Sequence, residues 1–322
     1  MLFITNRVLL ESSHSESGRK ISFDLNDNQA LQSVFFCERH GENDYEELGS
    51  LSFFETLKTT SAKQILIYIH GFNNMPEGEG EIFSNAEKLQ RLFDNAQENL
   101  VEVVPMIWPC DNDFGILKDY WDDQYAAHAS APAFSRVFEK FLSWRNTDFD
   151  TPDTCMKRIN ILSHSMGNRV LKKTLLEFKD LSFLGENIPL IFRNVFMAAP
   201  DVVNETLQKY HEGKIITQVS RNVLVFYAAD DLALRASKVV NLKNKVVSRR
   251  LGHTGPENMN LEPKNVYAFD CDQFNNKCDP KGHTYFMEDR DGTPTPVFEQ
   301  MLLAISTGRV TTADNERNTV IL

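Results

Sequence analysis

Apolar residues along the chain fall into short, mostly apolar runs separated by longer stretches of helical spacing. The runs lie at residues 64–69, 101–108, 159–162, 189–199, 222–228 and 266–271. Runs apolar on both faces are what strands buried between two layers of helix require. Between them, residues 79–100 place Ile82, Phe83, Ala86, Leu89, Leu92, Phe93 and Ala96 on one side. Residues 166–179 do the same with Val170, Leu171, Leu175, Leu176 and Phe178, opposite Arg169, Lys172 and Lys173. Both spacings predict amphipathic helices. Further helices are predicted at 50–57, 134–144, 202–210 and 294–305. Strand and helix alternating in this way predict an α/β fold with a mostly parallel central sheet and helices on both faces. Residues 2–5, 22–25 and 31–37 read as short strands forming an antiparallel N-terminal edge, and 246–251 as a late extended piece. A single domain is expected over 1–306, followed by a polar tail at 307–322. Residues 110–131, polar and aromatic with Tyr120, Trp121 and Tyr125, form an expected loop that serves as a cap or lid.

One junction stands out within this pattern. After the apolar run Ile159, Ile161 and Leu162, the residues become small at once, in Ser163-His164-Ser165-Met166-Gly167-Asn168-Arg169. Ser163 and Gly167 flank Ser165 where a strand-to-helix turn brings backbones close, the geometry of a nucleophile elbow. Such a turn exposes one hydroxyl and aims the first amides of a helix at the same point, where they stabilise negative charge. The pattern is G-x-S-x-G with Ser163 for the first Gly, and a simple capped helix start remains the alternative. A second signal follows residues 64–69, in His70-Gly71-Phe72-Asn73-Asn74. A Gly-bearing loop after an early buried strand is where the other oxyanion donor comes from, here the Phe72 amide, unless the loop is a plain strand-ending turn.

The composition sets bounds on partners. The 322 residues are 42% hydrophobic and 25% charged, with a formal charge of -11. A negative field argues against nucleic acid or an anionic membrane surface as main partner. No stretch approaches the roughly 20 continuous apolar residues of a membrane span, so no membrane insertion and a cytoplasmic location are expected. The five cysteines, Cys37, Cys110, Cys155, Cys271 and Cys278, are scattered and are expected to be reduced. Cys271 and Cys278, with Asp270, Asp272, Asp279 and His283 nearby, match no tight zinc spacing, and neither metal nor cofactor is expected.

A serine needs an imidazole to take its proton and an acid to fix that imidazole's tautomer. Of the eight histidines, His253 precedes the run at 266–271 and His283 follows it. A base must reach the sheet edge from a loop after the last strand, which favours His283. The acid belongs just past a late strand; Asp231, in Ala228-Ala229-Asp230-Asp231, is preferred, with Asp230 read as its solvated neighbour and Asp201 still open. The order Ser165, Asp231, His283 is nucleophile, acid, base, that of α/β-hydrolases.

Here the chain resembles DUF900, a bacterial α/β-hydrolase family of unknown function. The resemblance rests on Thr5-Asn6-Arg7, Ile67-Tyr68-Ile69-His70-Gly71-Phe72-Asn73, Trp108-Pro109 with a downstream Tyr and Asp, and Leu162-Ser163-His164-Ser165-Met166-Gly167-Asn168-Arg169. It continues through Ala198-Ala199-Pro200-Asp201, Asp231-Leu232-Ala233-Leu234 and Gly282-His283-Thr284-Tyr285-Phe286. The resemblance implies Ser165, Asp231 and His283 as triad and the amides of Phe72 and Met166 as oxyanion donors, and names no substrate. The expected activity is cleavage of a small-molecule carboxylic ester or thioester. A lipid-directed lipase or acyltransferase, or a non-catalytic binding module on the same scaffold, are the alternatives.

Overall fold

Burial on both faces makes the apolar runs strands: all six residues of 64–69 are buried. The structure, a computed structural model, describes residues 1–110, 116–148, 155–181, 188–234, 249–312 and 316–321. They form two compact units, Met1–Arg158 with Lys173–Asn187, and Ile159–Lys172 with Ile188–Leu322.

In the first unit the strands are β1 (Leu2–Thr5), β2 (Arg19–Ile21), β3 (Phe35–Gly41), β4 (Asp44–Glu47), β5 (Gln64–Ile69) and β6 (Val101–Ile107). They lie in the order β5-β6-β1-β3-β4-β2. The first three are mutually parallel, whereas β1-β3, β3-β4 and β4-β2 pair antiparallel. The expected antiparallel edge is therefore present, with strands at 19–21 and 35–41 in place of 22–25 and 31–37. β4 was hidden by its charge: Asp-Tyr-Glu-Glu turns Tyr45 and Glu47 inward, and Glu47 is bonded there by Arg19 at 2.8 Å. Phe3, Phe23, Phe35, Tyr45 and Phe83 fill the core beneath this edge.

The helices of this unit are α1 (Gly49–Thr59), α2 (Ile82–Ala96), α3 (Ile116–Ala129) and α4 (Ala131–Asp148). α3 occupies most of the segment read as a loop. Its inward face of Tyr120, Asp123, Ala126 and Ala127 is buried, while Tyr125 points outward. Residues 111–115 of that segment lie outside the described residues.

The second unit has β7 (Arg158–His164), β8 (Phe192–Ala198), β9 (Ser220–Tyr227), β10 (Val266–Asp270) and β11 (Asn318–Val320), in the order β11-β10-β9-β8-β7. All four pairings are parallel. Helix α5 (Gly167–Leu181) follows β7, and a helix at Pro296–Thr307 closes the unit, capped by the Thr295 hydroxyl and ended by Gly308 at φ 71°. The helix expected at 202–210 does not form. Val203 is bridged to Arg250 and the Asn204 amide donates to the Arg249 carbonyl at 3.0 Å, so tertiary pairing overrides the local spacing. The extended piece expected at 246–251 is described from residue 249 on. It supplies the Arg250 bridge, and a short helix starts at Leu251.

Across the middle of this sheet runs a row of buried amides. Asn222 donates to Asn194, and Asn194 to Asn160, each at 2.8 Å. The register places them directly opposite one another on β9, β8 and β7. Asn194 also donates to the Ala304 carbonyl at 3.2 Å and Asn222 to that of Gly308 at 3.4 Å, satisfying the C-terminal end of the last helix.

Candidate active site

The elbow is a strained turn held by backbone bonds. Ser165 has φ 51°, a left-handed conformation that costs a non-glycine residue about 1 to 3 kcal/mol. Its N–H donates to the Ala198 carbonyl at 2.9 Å, and its carbonyl accepts the N–H groups of Asp201 at 3.1 Å and Asn168 at 3.2 Å. Beyond it the Met166 carbonyl accepts the Arg169 amide at 2.8 Å, so a helical turn starts here. The Met166 N–H precedes that turn and has no place in the helix's own ladder.

Ser163, which stands where the pattern has Gly, is accommodated by Asn168. The Ser163 hydroxyl donates to Asn168 Oδ1 at 2.6 Å, while Asn168 Nδ2 donates to the carbonyls of Ser163 at 3.0 Å and Ser165 at 3.1 Å. Both side chains are fully buried. Asn168→Ala is therefore expected to leave the buried Ser163 hydroxyl only the Phe196 carbonyl at 3.5 Å and to cost about 2 kcal/mol, read as a lowered denaturation midpoint in urea. An unchanged midpoint would mean that the elbow does not depend on this side chain.

The candidate acid and the candidate base meet within the same unit. The turn after β9 carries Asp231, whose N–H donates to the Ala228 carbonyl at 3.3 Å. Its Oδ1 accepts the Leu234 N–H at 2.9 Å and its Oδ2 accepts the His283 Nδ1–H at 2.6 Å. That bond places the proton on Nδ1 and leaves a lone pair on Nε2, the tautomer a general base needs. His283 Nε2 is buried and has no hydrogen-bond partner among the described residues, so the Ser165 hydroxyl does not donate to it in this state. Burial works to lower the His283 pKa, but the charge and hydrogen bond of Asp231, with Asp279 and Asp201, outweigh it and hold the imidazole above its ordinary value.

The base loop is tied to the residue preceding Ser165. His164 Nε2–H donates to the His283 carbonyl at 3.1 Å, and the two rings lie 4.7 Å apart at 49°. Phe286 packs on His164 with ring centroids 4.9 Å apart.

The other carboxylates left open by the sequence are engaged elsewhere. Asp201 is buried and paired with Arg169 and Arg250, each at 3.2 Å. Asp230, read as solvated, is half-buried and accepts from Asn275 at 2.6 Å and from Asn276. His253 sits on the short helix Leu251–Thr254. The sequence suggested no role for the elbow asparagine Asn168, and placed Asp279, whose carboxylate accepts the His283 N–H at 2.9 Å, only beside a dismissed metal spacing. Their signals are local: an amide two residues into the helix after a Ser-x-Ser turn, and Asp-Pro-Lys-Gly ahead of the histidine, a side-chain-capped turn. All five cysteines are free, and no group of three His, Cys, Asp or Glu residues among the described residues is placed to hold a metal ion.

In the first unit, the loop after β5 is held by Trp108, Cys110 and α3. His70 stacks on Trp108 with centroids 5.1 Å apart and an interplanar angle of 4°. Its Nε2 accepts the Trp108 N–H at 3.2 Å, and burial above all depresses its pKa to about 3. His70 is therefore a neutral structural histidine. Asn73, at φ 59°, donates its N–H to the buried Asp123 carboxylate at 2.9 Å. The Asn74 side chain holds the Phe72 carbonyl at 2.6 Å, which fixes the Phe72 residue on its loop.

A strand, a strained serine turn and a helix, followed by an acid after a later strand and a histidine after the next, are the parts of an α/β hydrolase. The chain belongs to the α/β-hydrolase family of unknown function DUF900, whose model matches residues 49–295. No curated protein matches it. Among solved structures it is similar to esterase PE8, at 12% identity over 58% of this chain and 81% of that one, with a TM-score of 0.30. It is also similar to phospholipase PlaB from Legionella pneumophila in complex with thio-NAD, at 13% identity over 65% of this chain and 37% of that one, TM-score 0.27. A third is a lipase-esterase related protein from Clostridium acetobutylicum, at 10% identity over 66% and 75%, TM-score 0.21. No helix among the described residues is long and apolar enough to cross a membrane.

Proposed function

We propose that the protein is a serine hydrolase that cleaves a small-molecule carboxylic ester or thioester through an acyl-enzyme. The observation that carries this is the 2.6 Å bond from His283 Nδ1–H to a fully buried Asp231, which leaves Nε2 unprotonated and without a partner. His283 Nε2 takes the Ser165 proton as Oγ attacks the acyl carbon, and the leaving alcohol or thiol departs with that proton. Water then adds to the acyl-enzyme by the reverse sequence, releasing the acid and restoring Ser165.

The carbonyl oxygen becomes negative in both steps. The Met166 N–H at the start of the helical turn is the donor nearest in sequence, and such a donor is worth about 3 kcal/mol of barrier. The Phe72 N–H, in the Gly-bearing loop after β5, is the proposed second donor.

Because the base must be neutral, kcat/KM is expected to rise with pH through an apparent pKa above the ordinary imidazole value of about 6.5. Burial opposes that shift and Asp231 drives it. A profile already flat below that value would show that His283 is not the titrating base. The decisive test is labelling with a fluorophosphonate, followed by peptide mapping. Wild type is expected to be modified at Ser165, and His283→Ala to label far more slowly. A folded wild type that does not label would instead fit a binding module.

A further inference from the structure

The general base is held by more than its triad partner. Asp231 orients the His283 ring, yet the ring pivots on a backbone that Asp231 does not touch. Asp279, half-buried and four residues earlier, accepts three amides of that backbone. Its Oδ2 takes the N–H of His283 at 2.9 Å and of Thr284 at 2.6 Å, and its Oδ1 takes that of Lys281 at 2.7 Å. Its own carbonyl takes the Gly282 N–H at 3.0 Å.

The turn it closes has little freedom. Gly282 has φ 62°, and a Cβ there would lie 2.6 Å from Asn275 Nδ2 and 2.7 Å from Asn276 Oδ1, the two amides gripped by Asp230. The Lys281 carbonyl accepts the N–H of Leu232, next to Asp231, at 3.0 Å, and the His283 carbonyl accepts from His164 at 3.1 Å. The acid turn, the elbow and the base loop are thus joined through His283 and its neighbours.

We propose that Asp279 is a positioning residue for the general base, its carboxylate gathering the amides of Lys281, His283 and Thr284 so that the imidazole meets Asp231. This rests on the serine-hydrolase assignment of the site. A carboxylate suits the task because all three donors are N–H groups; an amide would turn an NH2 toward at least one of them. The charge adds a second effect. Asp231, Asp279 and Asp201 are the carboxylates acting on His283, Asp201 being paired with Arg169 and Arg250, and the neighbouring ring is His164. Negative charge from Asp279 favours the imidazolium that forms as Ser165 loses its proton.

The test compares Asp279→Asn and Asp279→Ala with wild type in the full chain, using p-nitrophenyl butyrate turnover against pH and the NMR titration of the His283 imidazole. Asp279→Asn keeps the side chain's size, removes the charge and sets an NH2 against at least one of the three N–H donors. Its acid limb and its His283 pKa are expected to move to lower pH together, with kcat reduced about tenfold and KM within about twofold. Asp279→Ala, if it folds, is expected to lose about a hundredfold in kcat. An unshifted His283 titration in Asp279→Asn, or a loss carried wholly by KM, overturns the proposal. Ser165→Ala run alongside separates the two ideas. If it retains turnover, the serine mechanism fails, and the NMR titration still decides whether Asp279 acts on His283.

Discussion

Ser165→Ala is expected to reduce kcat for ester hydrolysis by about 10⁶-fold while leaving the fold untouched. The reason for the first half is chemical, since no other group replaces an attacking oxygen that becomes covalently bound to the substrate. The second half follows from how the turn is held. The bonds that fix residue 165 run through its N–H to Ala198 and through its carbonyl to Asn168 and Asp201, and none uses the hydroxyl. Alanine also bears the same Cβ at φ 51° and adds no new backbone strain. Turnover and thermal unfolding measured on one preparation check both halves. A folded Ser165→Ala variant with wild-type kcat would remove Ser165 from the mechanism.

Asp231→Asn is expected to lower kcat by about 10⁴-fold through a change of tautomer. The Leu234 N–H, which donates to Oδ1 at 2.9 Å, selects which way the new amide faces, because only an oxygen can accept from it there. The NH2 then points at His283 Nδ1, which must become an acceptor, and the imidazole proton moves to Nε2. The lone pair that takes the Ser165 proton is lost while the geometry persists. Nitrogen-detected NMR of the imidazole would report the proton at Nε2 directly. Retention of kcat to within about tenfold would show that the acid is another residue.

The parallel strands were readable because a strand buried on both faces leaves no polar alternation to confuse the pattern, as in β5 and β9. The elbow was readable for the opposite reason, a sudden run of small residues after large ones. What escaped was decided by partners distant in sequence. β4 alternates charged and aromatic residues whose inward glutamate is matched by Arg19, and nothing within the segment announces that partner. Residues 202–210 have helical spacing, but their backbone is committed to Arg249 and Arg250. At the site, the expectation of Ser165, Asp231 and His283 comes from chain order and chemistry. Asp231 is preferred from the sequence, but the engagement of Asp201 with Arg169 and Arg250 and of Asp230 with Asn275 leaves no local trace. Asp279 bonds to backbone rather than to a side chain, and backbone partners leave the weakest trace in a sequence.

The buried row of Asn160, Asn194 and Asn222 bears on how the strands of the second unit assemble. Valine and phenylalanine are nearly interchangeable as neighbours, so apolar strands alone discriminate poorly between correct and displaced pairings. Each amide in the row is matched only when β7, β8 and β9 all stand in register, because Asn194 bonds in both directions. Moving β8 by one residue would turn Asn194 to the opposite face and bring Val195 or Arg193 opposite its partners, stranding amides away from water at about 1 to 3 kcal/mol each. The row therefore works as a register check: a displaced β8 is penalised at β7, β8 and β9 together.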